Sequence, residues 1–454
     1  MLMDIYEKYK DSGIDWVGNV PASWKRSRIK FLLSHSSAGV WGEDEKGNKD
    51  DIVCFRAADF DYSHGCLKLD NNTVRNIQPK QLEGRVLHKR DLLIEKSGGG
   101  DATPVGRIVR FNYDGIATCS NFMHFISVNK DNDDNYLFYY FYAMYANNVN
   151  VLYFNQTTGI QNLKVSEYLG QILFLPSLKE QSAIANYLDK KCSEIDNVIS
   201  AQQKRIALLQ ELKQSVITHA VTKGLDPNVE MKDSGVEWIG KVPSHWQLIK
   251  IKNLKSKEPN AFVDGPFGSN LKSQHFIDNG DVYVIESGMI TTGTFVYRDF
   301  KTISKEHFKT IQRSECREGD IIIAKIGMNF GMAGELPKLD KHSVVSGNSL
   351  KLTLDRNKMR NLLFVYLLSV AKKNGGYVGL VQETAQPALS LGGLNGFALP
   401  VAPMAEQLDI EKYLIKRCTT IDSSISKAQH QVELLQEYKQ SLITEVVTGK
   451  RKVS

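Results

Sequence analysis

The sequence predicts an α+β fold built by internal duplication, in which two mixed α/β bodies alternate with two long helices. Residues 180–222 recur as 406–448, with about half of the positions identical. Neither copy contains Gly or Pro, so each is expected to form one or two helices. The sequence upstream of each copy is rich in short β-type runs separated by Gly, Asn and Asp, which predicts the bodies.

A second repeat precedes each body. Residues 10–24 match residues 232–246 at nine of fifteen positions, in the pattern Lys-Asp-Ser-Gly-x-x-Trp-x-Gly-x-x-Pro-x-x-Trp, which we call the entry motif. Each repeated unit is therefore an entry motif, a body and a long helix. The predicted domains are 1–179 for the first body, 180–223 for the first helical region, 224–405 for the linker and second body, and 406–454 for the second helical region and tail.

Each helical region carries a narrow apolar stripe at heptad spacing, which is typical of a coiled-coil seam. The stripe comprises Ile195, Ile199, Ile206, Leu209, Leu212 and Val216 in the first copy, and Ile421, Ile425, Val432, Leu435, Tyr438 and Leu442 in the second. Because neither helix can bury this stripe alone, we expect the copies to pack together as an antiparallel coiled coil with an internal pseudo-twofold relation. The alternative is two independent amphipathic helices, each lying on its own body.

Composition and charge describe an ordinary globular chain. The net charge of +6 permits an acidic partner but does not require one. The six cysteines include no Cys-x-x-Cys pair, so we expect neither a zinc site nor a disulfide framework, and a reducing compartment is favoured. No apolar run has the length of a membrane span, and the N-terminus lacks a signal-peptide pattern, which predicts a cytoplasmic protein with no membrane partner.

Motifs for catalysis are absent from the sequence. We find no phosphate-binding loop, no dinucleotide fingerprint, no zinc-protease helix and no nucleophile elbow. The chain is therefore expected to be non-catalytic, with no bound cofactor or metal. The Gly-rich segment 97–100 lacks the lysine of a phosphate loop, and both a hairpin turn and a ligand contact remain open for it.

Loops near the predicted strand ends combine Gly, amides, hydroxyls and cations. These side-chain types hydrogen-bond the edges of bases and hold phosphates. The candidate DNA-contacting residues are Arg56, Lys96, Ser97, Gly98, Asn155, Gln156, Thr158, Gln161 and Asn162 in the first body, and Ser269, Asn270, Lys272, Lys325, Asn329, Gln382 and Gln386 in the second. Such residues also occupy ordinary surface loops, so that alternative stays open.

The order body–helix–body–helix resembles the specificity subunit of Type I restriction–modification systems. Three local patterns carry the resemblance: the entry motif, Leu-Pro followed by Glu-Gln at 175–181 and 399–407, and Ile-Asp…Leu-Leu-Gln-Glu…Lys-Gln-Ser…Val-Thr in both helices. The resemblance implies two target-recognition domains, each of which recognises one half of a split, asymmetric site in double-stranded DNA. It also implies that the helices act as spacers and dock two modification (methyltransferase) subunits.

The resemblance further implies that the partners carry the chemistry. The modification subunits would methylate adenine with S-adenosylmethionine, and a restriction motor–nuclease subunit would use ATP with Mg²⁺. Thirty helical residues from 193 to 222 would span about 45 Å, a little over one turn of DNA. Two other functions remain open: an adaptor that spaces two protein-binding modules, and a fused enzyme, which the missing motifs disfavour.

Overall fold

The chain forms two compact units in the computed structural model. The structure describes residues 5–70, 72–157, 159–290, 293–381 and 387–453. The first unit comprises Met1–Arg205 with Ala428–Ser454, and the second comprises Ile206–Lys427. The first long helix is Leu178–Lys223 and the second is Met404–Val447, so each unit holds one body and part of both helices. The predicted domain boundaries fall instead at the helix ends and remain a sequence-based division.

Two four-stranded sheets form the first body. The first sheet is antiparallel throughout, in the order Ile108–Arg110, Asp91–Glu95, Met123–Val128, Leu33–Ala38. The second sheet has the order Ala117–Cys119, Asp51–Phe55, Val74–Asn76, Glu43–Asp44, and its first two strands are parallel. The smaller strand pairings are Tyr9–Asp11 with Asn19–Pro21, Lys25–Arg28 with Ile172–Leu175, Phe60–Asp61 with Cys66–Leu67, and Ile160–Leu163 with both Phe154–Thr157 and Ser97–Gly98. The helices are Pro79–Leu82, Asp134–Ala146 and Val165–Leu169, with 3₁₀ turns at Ile29–Leu32, Ala57–Asp59 and Val149–Tyr153.

The second body repeats this plan. Its antiparallel sheet has the order Ala333–Glu335, Ile321–Ala324, Ser349–Leu352, Phe262–Asp264. Its second sheet has the order Lys301–Ile303, Val282–Ile285, His342–Val345, Glu315–Cys316, and the middle pair is parallel. The smaller pairings are Met231–Asp233 with Lys241–Pro243 and Gln247–Lys250 with Ala398–Val401. The helices are Ile251–Leu254, Lys305–Thr310, Asn361–Lys373 and Leu391–Gly396, with 3₁₀ turns at Ser273–His275, Ser287–Met289 and Gln312–Ser314.

A buried strand in each body separates two cores. Asp91–Glu95 and Ile321–Ala324 are buried at every position. Successive side chains of a strand point to opposite faces of the sheet. Leu92 and Ile94 accordingly join the core under the helix Asp134–Ala146, whereas Leu93 joins the core of the second sheet. Each body is therefore a mixed α/β structure, as predicted.

The entry motif fastens each body to the start of the following long helix. Trp24 is 1% exposed, the Nζ of Lys10 donates to its carbonyl at 2.6 Å, and its indole Nε1–H donates to Glu180 Oε1 at 3.2 Å. The second copy repeats both contacts, from Lys232 to the carbonyl of Trp246 at 2.6 Å and from the Trp246 indole to Glu406 Oε2 at 3.0 Å. The repeated Lys, Trp and Glu thus have the same structural role in both units.

The glutamine that follows this glutamate also has one role in both units. Gln181 is buried, and its Oε1 accepts the backbone N–H of Asp133 at 3.0 Å. Gln407 is equally buried, and its Oε1 accepts the backbone N–H of Arg360 at 3.0 Å. Each glutamine therefore ties its long helix to the N-terminus of the body helix, Asp134–Ala146 or Asn361–Lys373.

The predicted seam is buried at most but not all positions. Ile195, Ile421 and Leu442 are buried, and Ile199, Ile206, Leu209, Val216, Ile425, Val432 and Leu435 are half-buried. Leu212 and Tyr438 are 45% and 50% exposed, so the prediction is wrong at this one position of the repeat. The next residue, Lys213 or Lys439, turns inward to a carboxylate of the other helix. Because neighbouring helical residues point about 100° apart, the preceding side chain is directed to solvent.

Each long helix ends at a glycine that lies against an entry motif. Gly224 has φ +75° and Gly449 has φ +73°, the left-handed conformation common just after a helix. A Cβ on Gly224 would contact Trp246, and one on Gly449 would collide with Pro21 and contact Trp24. The end of the second long helix therefore meets the first entry motif in the same way that the first helix meets the second motif.

Candidate nucleic-acid interface

A small three-stranded sheet of the first body presents amides to solvent. In its hairpin, Asn155 lies directly opposite Asn162, and both side chains are exposed. Directly opposed residues of an antiparallel pair share one face of the sheet. Gln156 on the neighbouring position is also exposed. Asn155 and Asn162 thus place two amide groups on one face, of the kind that donate to and accept from base edges, whereas Gln156 points to the other face.

The other predicted DNA-contacting residues of this small sheet stabilise its structure. Gln161 is 2% exposed, and its Oε1 accepts the backbone N–H of Val105 at 3.1 Å. Ser97 is 8% exposed. Gly98, paired with Gln161, has φ +119°, which strongly favours glycine. These three residues therefore shape the loop, and the predicted direct contact does not fit the burial of Gln161 and Ser97.

Two cations of the first body differ in their surroundings. The guanidinium of Arg56 lies 3.2 Å from Asp59, and its side chain is 42% exposed. Lys96 follows the buried strand Asp91–Glu95 and is half-buried. In the part of the chain that the structure describes, the Lys96 ammonium has no hydrogen-bond or ion-pair partner.

In the second body, the predicted residues Ser269, Asn270 and Lys272 are exposed on one loop. The ring Nε2 of His307 lies 2.9 Å from the carbonyl of Asn270, which fixes the loop to the helix Lys305–Thr310. A cavity of about 720 Å³ opens beside the loop. Its lining includes Lys272, Ser273, Phe276, Glu286, Lys301 and Asn348.

The remaining candidates of the second body follow its buried strand. The Nζ of Lys325 lies 2.9 Å from Asp264 Oδ1, and both side chains are 23% exposed. Asn329 is exposed a few residues further along. Thr158, Gln382 and Gln386 lie outside the described residues, so their predicted role stays a prediction.

The structure reveals exposed apolar residues that are not among the candidates predicted from the sequence. Phe267 is 73% exposed and Met328 is 88% exposed, each on a loop that carries predicted polar residues. Phe122 is 53% exposed, and its carbonyl accepts the backbone N–H of the predicted residue Lys96 at 3.0 Å. Apolar side chains of this kind contact the methyl group of thymine in DNA grooves. Phe122 and Asn348 occupy equivalent positions, because their carbonyls accept the backbone N–H of Lys96 and of Lys325. A search of the sequence for polar loop residues could not have found Phe122.

Metal-ligand clusters and membrane-spanning helices are both absent from the described residues. They contain no group of three or more His, Cys, Asp or Glu side chains arranged to hold a metal ion. Within the same ranges, every helix is too short or too polar to cross a bilayer.

Comparison with known sequences points to one family. The model of the Type I restriction modification DNA specificity domain matches residues 24–208. The Type I restriction enzyme MjaVIII specificity subunit of Methanocaldococcus jannaschii is 24% identical over 299 residues, which cover 65% of this chain and 66% of that protein. The StySPI specificity subunit of Salmonella potsdam is 22% identical over 300 residues, which cover 64% and 60%. The chain thus matches slightly less than two thirds of the length of these relatives.

Comparison with solved structures defines the fold. A chain from a structural study of complex assembly and conformational transition of the type I R-M system aligns with a TM-score of 0.71 at 13% identity, covering 94% of this chain and 98% of that one. The HsdS subunit from Thermoanaerobacter tengcongensis aligns with a TM-score of 0.52 at 12% identity, covering 95% and 98%.

The duplicated α/β bodies joined to long helices therefore define a protein with the HsdS fold. The family model over residues 24–208, the curated relatives and the solved structures agree, and all of them indicate similarity to the specificity subunits of Type I restriction–modification systems.

Proposed function

We propose that this chain is the non-catalytic subunit that recognises a bipartite, asymmetric site in double-stranded DNA, with each body contacting one half-site. The observation that carries the proposal is the contrast between a repeated frame and diverged loops. The contacts of the entry motif with the long helix are the same in both units, whereas residues at equivalent positions beside the loops differ, Ala38 and Phe122 in one body and Asp264 and Asn348 in the other. One scaffold carrying two different surfaces suits recognition of two different sequences.

We further propose that the two long helices pack as an antiparallel coiled coil related by a pseudo-twofold axis. Lys439 contacts Asp196 at 2.7 Å in the first unit, and Lys213 contacts Asp422 at 2.7 Å in the second. The spacing between Asp196 and Lys213 along the first helix equals the spacing between their partners, Lys439 and Asp422, along the second helix. The two partners follow one another in the reverse order. This pattern supports an antiparallel pair, whose length would set the separation of the half-sites.

The helices also carry a repeated surface that suits two copies of one partner. This surface, the helix patch, consists of Leu208, Glu211 and Ser215 in the first helix and Leu434, Glu437 and Ser441 in the second. All six residues are exposed, and Leu208 and Leu434 are 65% and 50% exposed. Packing of the core does not explain why exposed positions keep the same residues in both copies. Docking of two identical modification subunits on the two patches does explain it.

The cofactors of the system would then belong to the partners. S-adenosylmethionine would be bound by the modification subunits for adenine methylation, and ATP with Mg²⁺ by restriction motor–nuclease subunits. In this arrangement the present chain contributes sequence recognition and spacing, and the reaction occurs in its partners.

The proposal is tested by expressing the chain with a candidate modification subunit in a methylation-free host and mapping methylated adenine across the genome. A motif of two short sequences separated by a fixed gap is expected. A complex that forms without sequence-specific methylation, from a chain that does not bind DNA, would instead indicate an adaptor protein.

A further inference from the structure

The strand-end lysines of the two bodies occupy equivalent positions. In the first body His124 pairs with Ala38 on one side and with Ile94 on the other. In the second body Leu350 pairs with Asp264 and with Ile323 in the same way. Lys96 and Lys325 each follow two residues after the paired isoleucine, just past the end of the buried strand.

The backbone contacts of these lysines are also the same. The backbone N–H of Lys96 donates to the carbonyl of Phe122 at 3.0 Å, and that of Lys325 donates to the carbonyl of Asn348 at 2.9 Å. The carbonyl of Lys96 accepts from Leu163 at 2.8 Å, immediately after the exposed Asn162. The two lysines therefore stand at one place in a shared framework, beside the loops of the candidate interface.

The partner of the lysine differs between the bodies. Asp264 holds the Lys325 ammonium at 2.9 Å, but the equivalent position in the first body is Ala38, which has no carboxylate. Lys96 is half-buried, and no acceptor within the described ranges reaches its ammonium. A partly desolvated cation without a partner gains more from an incoming anionic or hydrogen-bond-accepting ligand than one already neutralised by a carboxylate.

We propose that Lys96 contacts the DNA of the first half-site, and that the residue at position 38 or 264 determines whether the strand-end lysine is available for this contact. The ligand is a hydrogen-bond acceptor of the duplex, either a guanine edge or a phosphate oxygen. In the second body Asp264 holds Lys325 in an ion pair. The second half-site is therefore recognised without a free lysine at this position. The inference rests on the proposed recognition of a bipartite site.

The test uses the complex with the modification subunit and a labelled duplex that carries the methylated motif. Ala38→Asp installs the missing carboxylate beside Lys96 and should weaken binding about 10- to 100-fold, as expected for loss of one good contact. Ala38→Asn has nearly the same shape without the charge and should bind within a few-fold of wild type. Lys96→Met should weaken binding to a similar extent, and its thermal unfolding should match that of the wild type.

Two further experiments identify the DNA group that Lys96 contacts and test the reverse change, the release of Lys325, in the second body. If Lys96 contacts a phosphate, Lys96→Met lowers the slope of log Kd against log salt by about 0.9 and leaves the motif unchanged. If it contacts a base, one position of the first half-site becomes degenerate in the methylation map. Asp264→Ala frees Lys325 and should raise the affinity or the salt slope, whereas Asp264→Asn should do the same to a smaller degree.

The outcomes separate this inference from the proposed function. A wild-type complex without a bipartite motif would overturn the proposed function and this inference with it. A wild-type complex with such a motif, together with folded Lys96→Met and Ala38→Asp variants that bind and methylate normally, would overturn the role of Lys96 alone.

Discussion

At the scale of single residues, the repeat supplies matched pairs that differ only in their surroundings. Lys439 and Lys213 are equivalent, and each makes an ion pair with the equivalent aspartate of the other helix. The Lys439 side chain is 11% exposed and also donates to the carbonyl of Ser63 at 2.9 Å, whereas the Lys213 side chain is 31% exposed. The same ion pair should therefore contribute differently to stability in the two units.

We expect Lys439→Met to lower the free energy of unfolding by roughly 3 kcal/mol, because it leaves the carboxylate of Asp196 largely buried without a cation. Lys213→Met should cost about 1 kcal/mol or less, because its pair is more exposed to water. Chemical denaturation of both variants measures the difference. Equal losses of stability in the two variants would contradict the importance of burial.

The candidate interface illustrates how far single residues can be predicted from sequence. The chemistry of Asn155, Asn162 and Lys272 suggested solvent-facing loops, and these side chains are exposed. The sequence could not reveal that Gln161 points inward, because its partner, the backbone N–H of Val105, lies 56 positions away and meets it only in the fold. Nor could it reveal the pair of Lys325 with Asp264, because the two residues lie 61 positions apart and meet only through the sheet.

At the scale of elements, the long helices were predictable because their pattern is long and uninterrupted. The helical faces were less predictable. A strict heptad stripe places Leu212 and Tyr438 in the seam, but an ion-paired lysine one residue later occupies the inward direction. Polar contacts between distant segments thus change which face of a helix is buried, compared with the face that hydrophobic spacing alone would assign.

The helix patch leads to a prediction about stoichiometry. Leu208→Asp should reduce the modification subunits bound from two to one, and the double variant with Leu434→Asp should bind neither tightly, with about 30-fold loss per site. Native mass spectrometry of the purified mixture counts the subunits.

The control for the helix patch is Val198→Asp. Val198 is 46% exposed on the same helix, but the second copy has Ser424 at the equivalent position, so Val198 is not part of a repeated surface. This variant should still bind two subunits. Two bound subunits with the Leu208→Asp, Leu434→Asp double variant would show that partners dock elsewhere.

At the scale of the whole molecule, the end of the second long helix lies against the first entry motif, as the end of the first helix lies against the second. Because Gly449 lies against Pro21 and Trp24, a short linker can join residue 453 to residue 5. New termini can then open in the exposed linker at 226–227. This permutant should fold with a melting temperature within a few degrees of the wild type.

A permutant opened inside the buried strand Asp91–Glu95 should fail to fold, since it breaks the ladder between the two cores. Calorimetry measures the melting temperatures of both permutants. If the permutant opened at 226–227 is also unfolded, the chain ends are not equivalent to the internal junction.

The central claim is that two bodies recognise two half-sites at a separation set by the long helices. The most direct test removes one heptad from each helix, residues 201–207 and 427–433, which preserves the proposed antiparallel pairing on both sides of the deletion. Each helix shortens by about 10 Å, or about three base pairs of DNA. Mapping of methylated adenine should return the same two half-site sequences with a shorter gap, or no methylation if the new gap cannot be accommodated. Methylation at the original motif with its original gap would contradict the claim.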